Sequence, residues 1–176
     1  MERSGKEVEL CFRAKRIVAR LRRMGKTVAT AESCTGGLLG KCLTDVPGSS
    51  AVYPGGVISY SCEVKHKLLG VDRTLLATEG AVCPAVAGQM AEGVRRVLGT
   101  DYGVATTGLA GPDGDGSGKP VGLVYVAVAT PEKTQVHTLL LSGNRERIRE
   151  KAAKAALSFL EKSDYPANRP DDKYSK

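Results

Sequence analysis

Apolar residues recur at helical spacing in some segments of the chain and run together or alternate in others. The spacing of Leu10, Ala14, Ile17, Leu21 and Met24 predicts an amphipathic helix over residues 7–24. The same reasoning predicts further helices beginning at Leu38 and Leu75, over residues 64–69, after Pro84, and over residues 145–161. Strands are predicted over residues 27–31, 55–61, 102–107, 121–129 and 134–141.

The order of these elements predicts the fold class. A helix, a strand, a glycine-rich turn and another helix open the chain, which is typical of an α/β domain. The last two strands are expected to be antiparallel neighbours, so the sheet is mixed. We therefore predict a single-domain, three-layer α/β/α sandwich. The residues expected to face the core are Val86, Met90, Val94 and Val97 after Pro84, and Ile148, Ala152, Ala155 and Phe159 in the last helix.

Composition narrows the cellular setting. The 176 residues fit one domain, and no apolar run approaches the ~18 residues that span a bilayer. Residues 1–24 show no signal-peptide pattern. Five cysteines without a CxxC pair, with only two histidines, favour reduced thiols over a zinc site. We therefore expect a cytoplasmic protein with no metal and no cofactor.

The net charge of +7 is concentrated near the start of the chain. Residues 1–26 carry nine Lys/Arg against three Glu, which suits a solvated helix face. Nucleic-acid binding is disfavoured because no aromatic interleaving or recognition motif accompanies the charge. A partner-binding role remains open for the arginine stripe, which comprises Arg13, Arg16, Arg20 and Arg23.

Three glycine-punctuated turns could carry chemistry: residues 32–37, 47–50 and 106–119. Ligands of open α/β sheets lie at the carboxyl ends of strands, where the first and third turns are expected. The first turn also leads into a helix N-terminus, whose N–H groups suit an anion or a developing oxyanion. Alternatively, Ser33 or Thr35 caps that helix.

Lys65 is a candidate base, because burial or nearby positive charge can lower a lysine pKa toward neutrality. The alternative is an ordinary solvated lysine. No histidine lies in a glycine-rich turn, so hydrolysis would more naturally use a Ser–Lys pair assisted by Tyr60. Asp113 and Asp115 could bind a divalent cation or bond their own backbone.

Five motifs occur in a fixed order. They are AESCTGG at 31–37, PGSS at 47–50, GGVISY at 55–60, TGLAGP at 107–112 and KPVG at 119–122. This series closely resembles the CinA C-terminal domain family of competence/damage-inducible proteins, which includes stand-alone nicotinamide-nucleotide amidases. The similarity runs from about residue 8 to 160. We therefore delimit a CinA C-terminal-like domain at 1–162 and predict a disordered tail at 163–176.

The resemblance implies a cofactor-independent amidohydrolase of pyridine nucleotide salvage, which converts nicotinamide mononucleotide to nicotinate mononucleotide and ammonia. It assigns the nucleophile to Ser50, with Ser33 as the alternative, and supporting roles to Tyr60 and Lys65. Backbone N–H groups near Gly48–Ser50 would hold the oxyanion. A homo-oligomer is the expected assembly. The expected substrate-binding residues are Ser33, Thr35, Gly36, Gly48, Thr107 and Arg145.

Two other functions stay open. Cys62 and Cys83 stand where many members carry Asn and Ser, and some members of the family are inactive. The family's competence and damage label, together with the basic N-terminal helix, makes a non-catalytic module that binds nucleotides or a partner protein the first alternative. The second is a metal-dependent phosphatase or pyrophosphatase that uses Asp113 and Asp115.

Overall fold

A five-stranded mixed sheet organises the protein in the computed structural model, which describes residues 5–163. Its strand order is β2-β1-β3-β4-β5, with β1 parallel to β2 and β3 and antiparallel pairing of β4 with β3 and β5. The strands are β1 (Val28–Glu32), β2 (Gly55–Ile58), β3 (Tyr102–Gly108), β4 (Leu123–Ala129) and β5 (Thr134–Leu140). The helices are α1 (Gly5–Met24), α2 (Leu38–Thr44), α3 (Cys62–Leu69), α4 (Arg73–Thr78), α5 (Pro84–Leu98) and α6 (Arg145–Lys162).

The sheet separates two apolar cores. On one face, α1, α2 and α6 bury residues such as Ile17, Leu43 and Leu157 against the sheet. On the other, α5 packs with Leu69 and the small side chains of β1 and β3. Helices on both faces of a mixed sheet confirm the predicted three-layer α/β/α sandwich.

Two predicted inward faces were wrong in detail. Val97 is 52% exposed because the buried stripe of α5 ends at Val94, one turn before the helix does. In α6, Ala155 is only partly buried, whereas Phe159 is partly buried and packs against the core. This helix packs against α1 as well as the sheet, so its buried face is turned toward Ala156. Periodicity predicts which face of a helix is apolar, but it does not predict how far the element packed against that face extends.

The arginine stripe of α1 is held by the end of α6. Glu161 accepts a hydrogen bond from Arg13 at 3.2 Å and pairs with Arg16 at 2.9 Å. Arg20 donates to the backbone carbonyl of Glu161. Most of the stripe therefore joins two helices of this chain, which weakens the argument that it is a partner surface.

Two further expectations concern the C-terminal tail and membrane-spanning helices. The tail at 163–176 lies outside the described residues apart from Ser163. Within residues 5–163, no helix has both the length and the apolar character that a membrane crossing requires.

Two glycines of α5 allow a matched test of helix packing. A Cβ at Gly93 would lie 2.1 Å from the backbone oxygen of Leu69, whereas a Cβ at Gly88 would meet Val136 at an ordinary 3.6 Å. We expect Gly93→Ala to lower the free energy of unfolding by about 1–3 kcal/mol through overpacking. Gly88→Ala should be neutral or stabilising by up to ~1 kcal/mol through helix propensity.

Urea unfolding of the two variants checks this expectation. Equal midpoints for Gly93→Ala and Gly88→Ala would contradict the close approach of α5 to the end of α3.

Candidate active site

The site begins in the turn between β1 and α2. Glu32 pairs with Thr106 in the parallel register of β1 and β3, and the N–H of Ser33 donates to the carbonyl of Thr106 at 2.9 Å. Gly36 and Gly37 both have positive φ, which lets the chain turn sharply into α2. Ser33 is consequently fixed at the carboxyl end of the parallel strands, where α/β sheets bind ligands.

Lys65 reaches the same position from α3. Its side chain is fully buried, and Nζ lies 3.0 Å from Ser33 Oγ. Nζ also lies 2.6 Å from the carbonyl oxygen of Ser59 and 3.3 Å from that of Tyr60. The solvated alternative is therefore wrong, and Ser33 and Lys65 form a buried pair.

The three partners of Lys65 determine which proton positions are possible. Carbonyl oxygens only accept hydrogen bonds, so a neutral amine places its two hydrogens on Ser59 and Tyr60. Its lone pair then faces Ser33 Oγ, which donates. Burial lowers the pKa of Lys65 below its ordinary value, and the Cys62 and Cys34 thiols only partly oppose this shift. The geometry suits a general base acting on Ser33.

Cys34 follows Ser33 directly and carries a second nucleophilic group, a thiol. Burial raises the pKa of its thiol to about 11. Because the thiolate is the reactive form, this cysteine is inert at neutral pH.

The N-terminus of α2 is occupied by a side chain of the protein itself, which corrects the expectation of free N–H groups there. The buried carboxylate of Glu32 accepts from the N–H groups of Gly37, Leu39 and Gly40 at 2.9, 3.0 and 2.7 Å. Sequence reasoning missed Glu32, although an acidic residue ending a buried strand before a helix is a usable signal. Among hydrogen bonds within residues 5–163, none uses the N–H group of Thr35.

The threonines of the site are committed to internal hydrogen bonds. Thr35 donates to Glu32 at 2.7 Å, so Thr106, also at 2.7 Å, donates to Thr35. Neither threonine is exposed, and the Thr35 hydroxyl therefore supports the turn. Thr107 donates to the carbonyl of Ala81 at 2.7 Å, which holds the loop before α5 against β3.

Arg145 and Tyr60 meet at the rim. Arg145 Nη2 donates to the phenol oxygen of Tyr60 at 3.2 Å, and Nη1 donates to the carbonyl of Gly111 at 2.6 Å. The Tyr60 side chain is 65% exposed and bonds Arg145, while its backbone carbonyl contacts Lys65. Tyr60 and Arg145 therefore form an exposed polar edge beside the buried pair.

Ser50 and Gly48 lie elsewhere. Ser50 belongs to a short 3₁₀ turn before β2, and Val52 in the same segment accepts from the N–H of Val28, at the amino end of β1. The length of β1, roughly 13 Å, thus separates Ser50 from Ser33. The structure brings Ser33, Thr35, Gly36, Tyr60, Lys65, Thr107 and Arg145 to one end of the sheet, and places Ser50 and Gly48 at the other.

Asp115, one of the two acidic residues of the third turn, contacts its own loop. Asp115 accepts from the backbone N–H and the hydroxyl of Ser117. Within residues 5–163, no three His, Cys, Asp or Glu side chains are grouped so that they could hold a metal ion.

Arg149 is a further residue that sequence reasoning missed. It extends from α6 to the carbonyl oxygens of Cys34 and Thr35, at 3.1 and 2.8 Å. One arginine among several in a helix gives no sequence signal for such a contact.

Comparisons with known proteins identify relatives of this chain. A competence-damage inducible protein of Caldanaerobacter subterraneus is 54% identical over 144 residues, covering 82% of this chain and 35% of that protein. A CinA-like protein of Synechocystis is 53% identical over 145 residues, again covering 35% of its length. The chain thus spans about a third of these relatives.

The solved structure of the competence/damage inducible protein CihA from Agrobacterium tumefaciens superposes with a TM-score of 0.85. It is 38% identical, and the match covers 88% of this chain and 94% of that one. The family model of the CinA C-terminal domain matches residues 12–163. The chain therefore belongs to the CinA C-terminal domain family.

Proposed function

We propose that the protein is an amidohydrolase that releases ammonia from nicotinamide mononucleotide, with Ser33 as the nucleophile and Lys65 as the base. The observation that carries the proposal is the buried contact of Lys65 Nζ with Ser33 Oγ at 3.0 Å. We favour Ser33 over Ser50 because Ser50 lies at the opposite end of β1 and contacts neither Lys65 nor Tyr60 within the described chain.

The reaction follows from the protonation states of this pair. Neutral Lys65 takes the hydroxyl proton as Ser33 Oγ attacks the amide carbon. The resulting ammonium gives that proton to the amide nitrogen, the C–N bond breaks, and ammonia leaves. Water then attacks the ester on Ser33 and passes a proton through Lys65 back to the serine. The net change is amide plus water to carboxylic acid plus ammonia.

Backbone N–H groups of the turn would stabilise the oxyanion formed during attack. Cys34 is the residue after the nucleophile, a position whose N–H often serves this purpose. The Thr35 N–H adjoins it and is unused by hydrogen bonds within residues 5–163. Losing one such donor typically costs ~10²–10³-fold in turnover.

The substrate class comes from the family resemblance and is compatible with the rim. Arg145 supplies a guanidinium that can bind a phosphate bidentately. Tyr60 and Ile58 present large, exposed side chains near the turn, and Ile58 lies next to Gly37. A pyridinium ring withdraws electrons from its carboxamide, which makes the carbonyl carbon easier to attack.

A nucleotide- or partner-binding module is the second candidate. A buried lysine held against a serine is costly to maintain for binding alone, since burying an amine opposes its charged form. The arginine stripe that motivated a partner surface is largely engaged by Glu161. Nucleotide-induced stabilisation without ammonia release would favour this candidate.

The first prediction separates the two serines. Ser33→Ala should reduce ammonia release from nicotinamide mononucleotide by at least about 10³-fold, as loss of a nucleophile does. Ser50→Ala should retain near wild-type release. EDTA should not change which of the two variants releases ammonia faster. A coupled ammonia assay measures each rate.

If Ser50→Ala lost activity and Ser33→Ala did not, Ser50 would be the nucleophile. It would then require a second copy of the chain to bring that serine to Lys65.

The second prediction concerns Lys65. Because the neutral amine is the base, the rate should rise with pH through the pKa of Lys65, which burial holds below its ordinary value, and then level off. Lys65→Met should lower kcat by about 10²–10⁴-fold and remove this limb. Lys67→Met, which changes an exposed lysine paired with Glu63, is the matched control.

Initial rates across a pH series give the profile for each variant. A profile that is flat in the wild type, or unchanged in Lys65→Met, would contradict the assignment of the base.

A further inference from the structure

Arg149 links α6 to the turn that carries Ser33. Its Nε donates to the carbonyl of Cys34 at 3.1 Å, and its Nη2 donates to the carbonyl of Thr35 at 2.8 Å. These carbonyls belong to the Cys34–Thr35 and Thr35–Gly36 peptide groups. The contact fits closely, because a Cβ at Gly36 would lie 3.2 Å from Nη2.

This contact fixes the direction of two N–H groups. In a trans peptide the C=O and N–H bonds point in opposite directions. With the Cys34 carbonyl on Arg149, the Thr35 N–H is directed away from the arginine. The next N–H, that of Gly36, donates to the carbonyl of Ser33 at 3.1 Å. The Thr35 N–H is thus oriented without being consumed by a hydrogen bond within residues 5–163.

We propose that Arg149 is a positioning residue, which orients the Thr35 N–H as a donor to the oxyanion formed at Ser33. This inference rests on the proposed hydrolase function. Arg149 does not touch the reacting atoms; it acts through the Cys34–Thr35 peptide. A buried, oriented N–H costs nothing to reorganise during the reaction, which is the basis of oxyanion stabilisation.

The guanidinium is suited to this task in two ways. It donates from two nitrogens in a fixed plane, so it holds two adjacent carbonyls at once, which a lysine ammonium does not reproduce. A charged donor on the Cys34 carbonyl also polarises the peptide, which strengthens the Thr35 N–H as a donor.

The test compares Arg149→Ala and Arg149→Lys with the wild type by kcat and KM for ammonia release. We expect Arg149→Ala to lower kcat by about 10²-fold, the usual cost of one oxyanion donor, with little change in KM. The pH limb of Lys65 should not move. Arg149→Lys should recover little, whereas added guanidinium should partly restore Arg149→Ala.

Arg96→Ala is the matched control for loss of an arginine–carbonyl contact. Arg96 Nη2 donates to the carbonyl of Leu69 at 2.9 Å, between α5 and α3. We expect this variant to lose thermal stability as Arg149→Ala does, while its kcat stays near wild type. Equal kcat losses in the two variants would mean that Arg149 acts only on stability.

A second readout does not depend on turnover. The ¹⁵N–¹H resonance of the Thr35 amide should shift in Arg149→Ala and stay in place in Arg96→Ala. An unmoved Thr35 resonance, or wild-type kcat in Arg149→Ala, overturns the inference and leaves the hydrolase intact. Folded wild type that releases no ammonia overturns the proposed function and the catalytic role of Arg149 together.

Discussion

The buried carboxylate of Glu32 is the interaction on which the site depends. Burying a charged carboxylate is costly unless hydrogen bonds replace its water. Here four donors lie within 3.0 Å: the Thr35 hydroxyl and the N–H groups of Gly37, Leu39 and Gly40. The positive end of α2 adds to this stabilisation. Glu32 therefore ties the end of β1 to the start of α2, and the turn between them has little freedom.

That constraint extends into the neighbouring strands. Through Thr35, the network reaches Thr106 on β3. Thr30 donates to Glu32 at 3.5 Å and lies 2.7 Å from the phenol oxygen of Tyr53. With the turn fixed, Ser33 lies where α3 delivers Lys65, whose amine is fixed in turn by the Ser59 carbonyl. Backbone groups help to position the Ser33–Lys65 pair: Ser33 N–H donates to the Thr106 carbonyl, and the Ser59 carbonyl contacts the Lys65 amine. The geometry of the pair therefore follows from the fold.

Much of the fold could be predicted from the sequence. The five strands and the main helices follow from local periodicity and from glycine and proline positions, and their observed bounds differ by a few residues at most. The exposure of Val97 and the turned face of α6 could not be predicted, because each depends on where a neighbouring element ends or packs.

For the site, the sequence by itself determined the residue types and two of the turns. It placed Ser33 before a helix, Lys65 beyond a strand, and glycines where the chain bends. These follow from chemistry that is local in the chain. Only the tertiary structure decided which serine meets Lys65, since Ser33 lies 32 residues away from it and Ser50 only 15. The strand β2 lies between Ser50 and Lys65 in the chain and runs parallel to β1. Ser50, the serine nearer to Lys65 in sequence, is therefore at the opposite end of the sheet from Lys65 and Ser33.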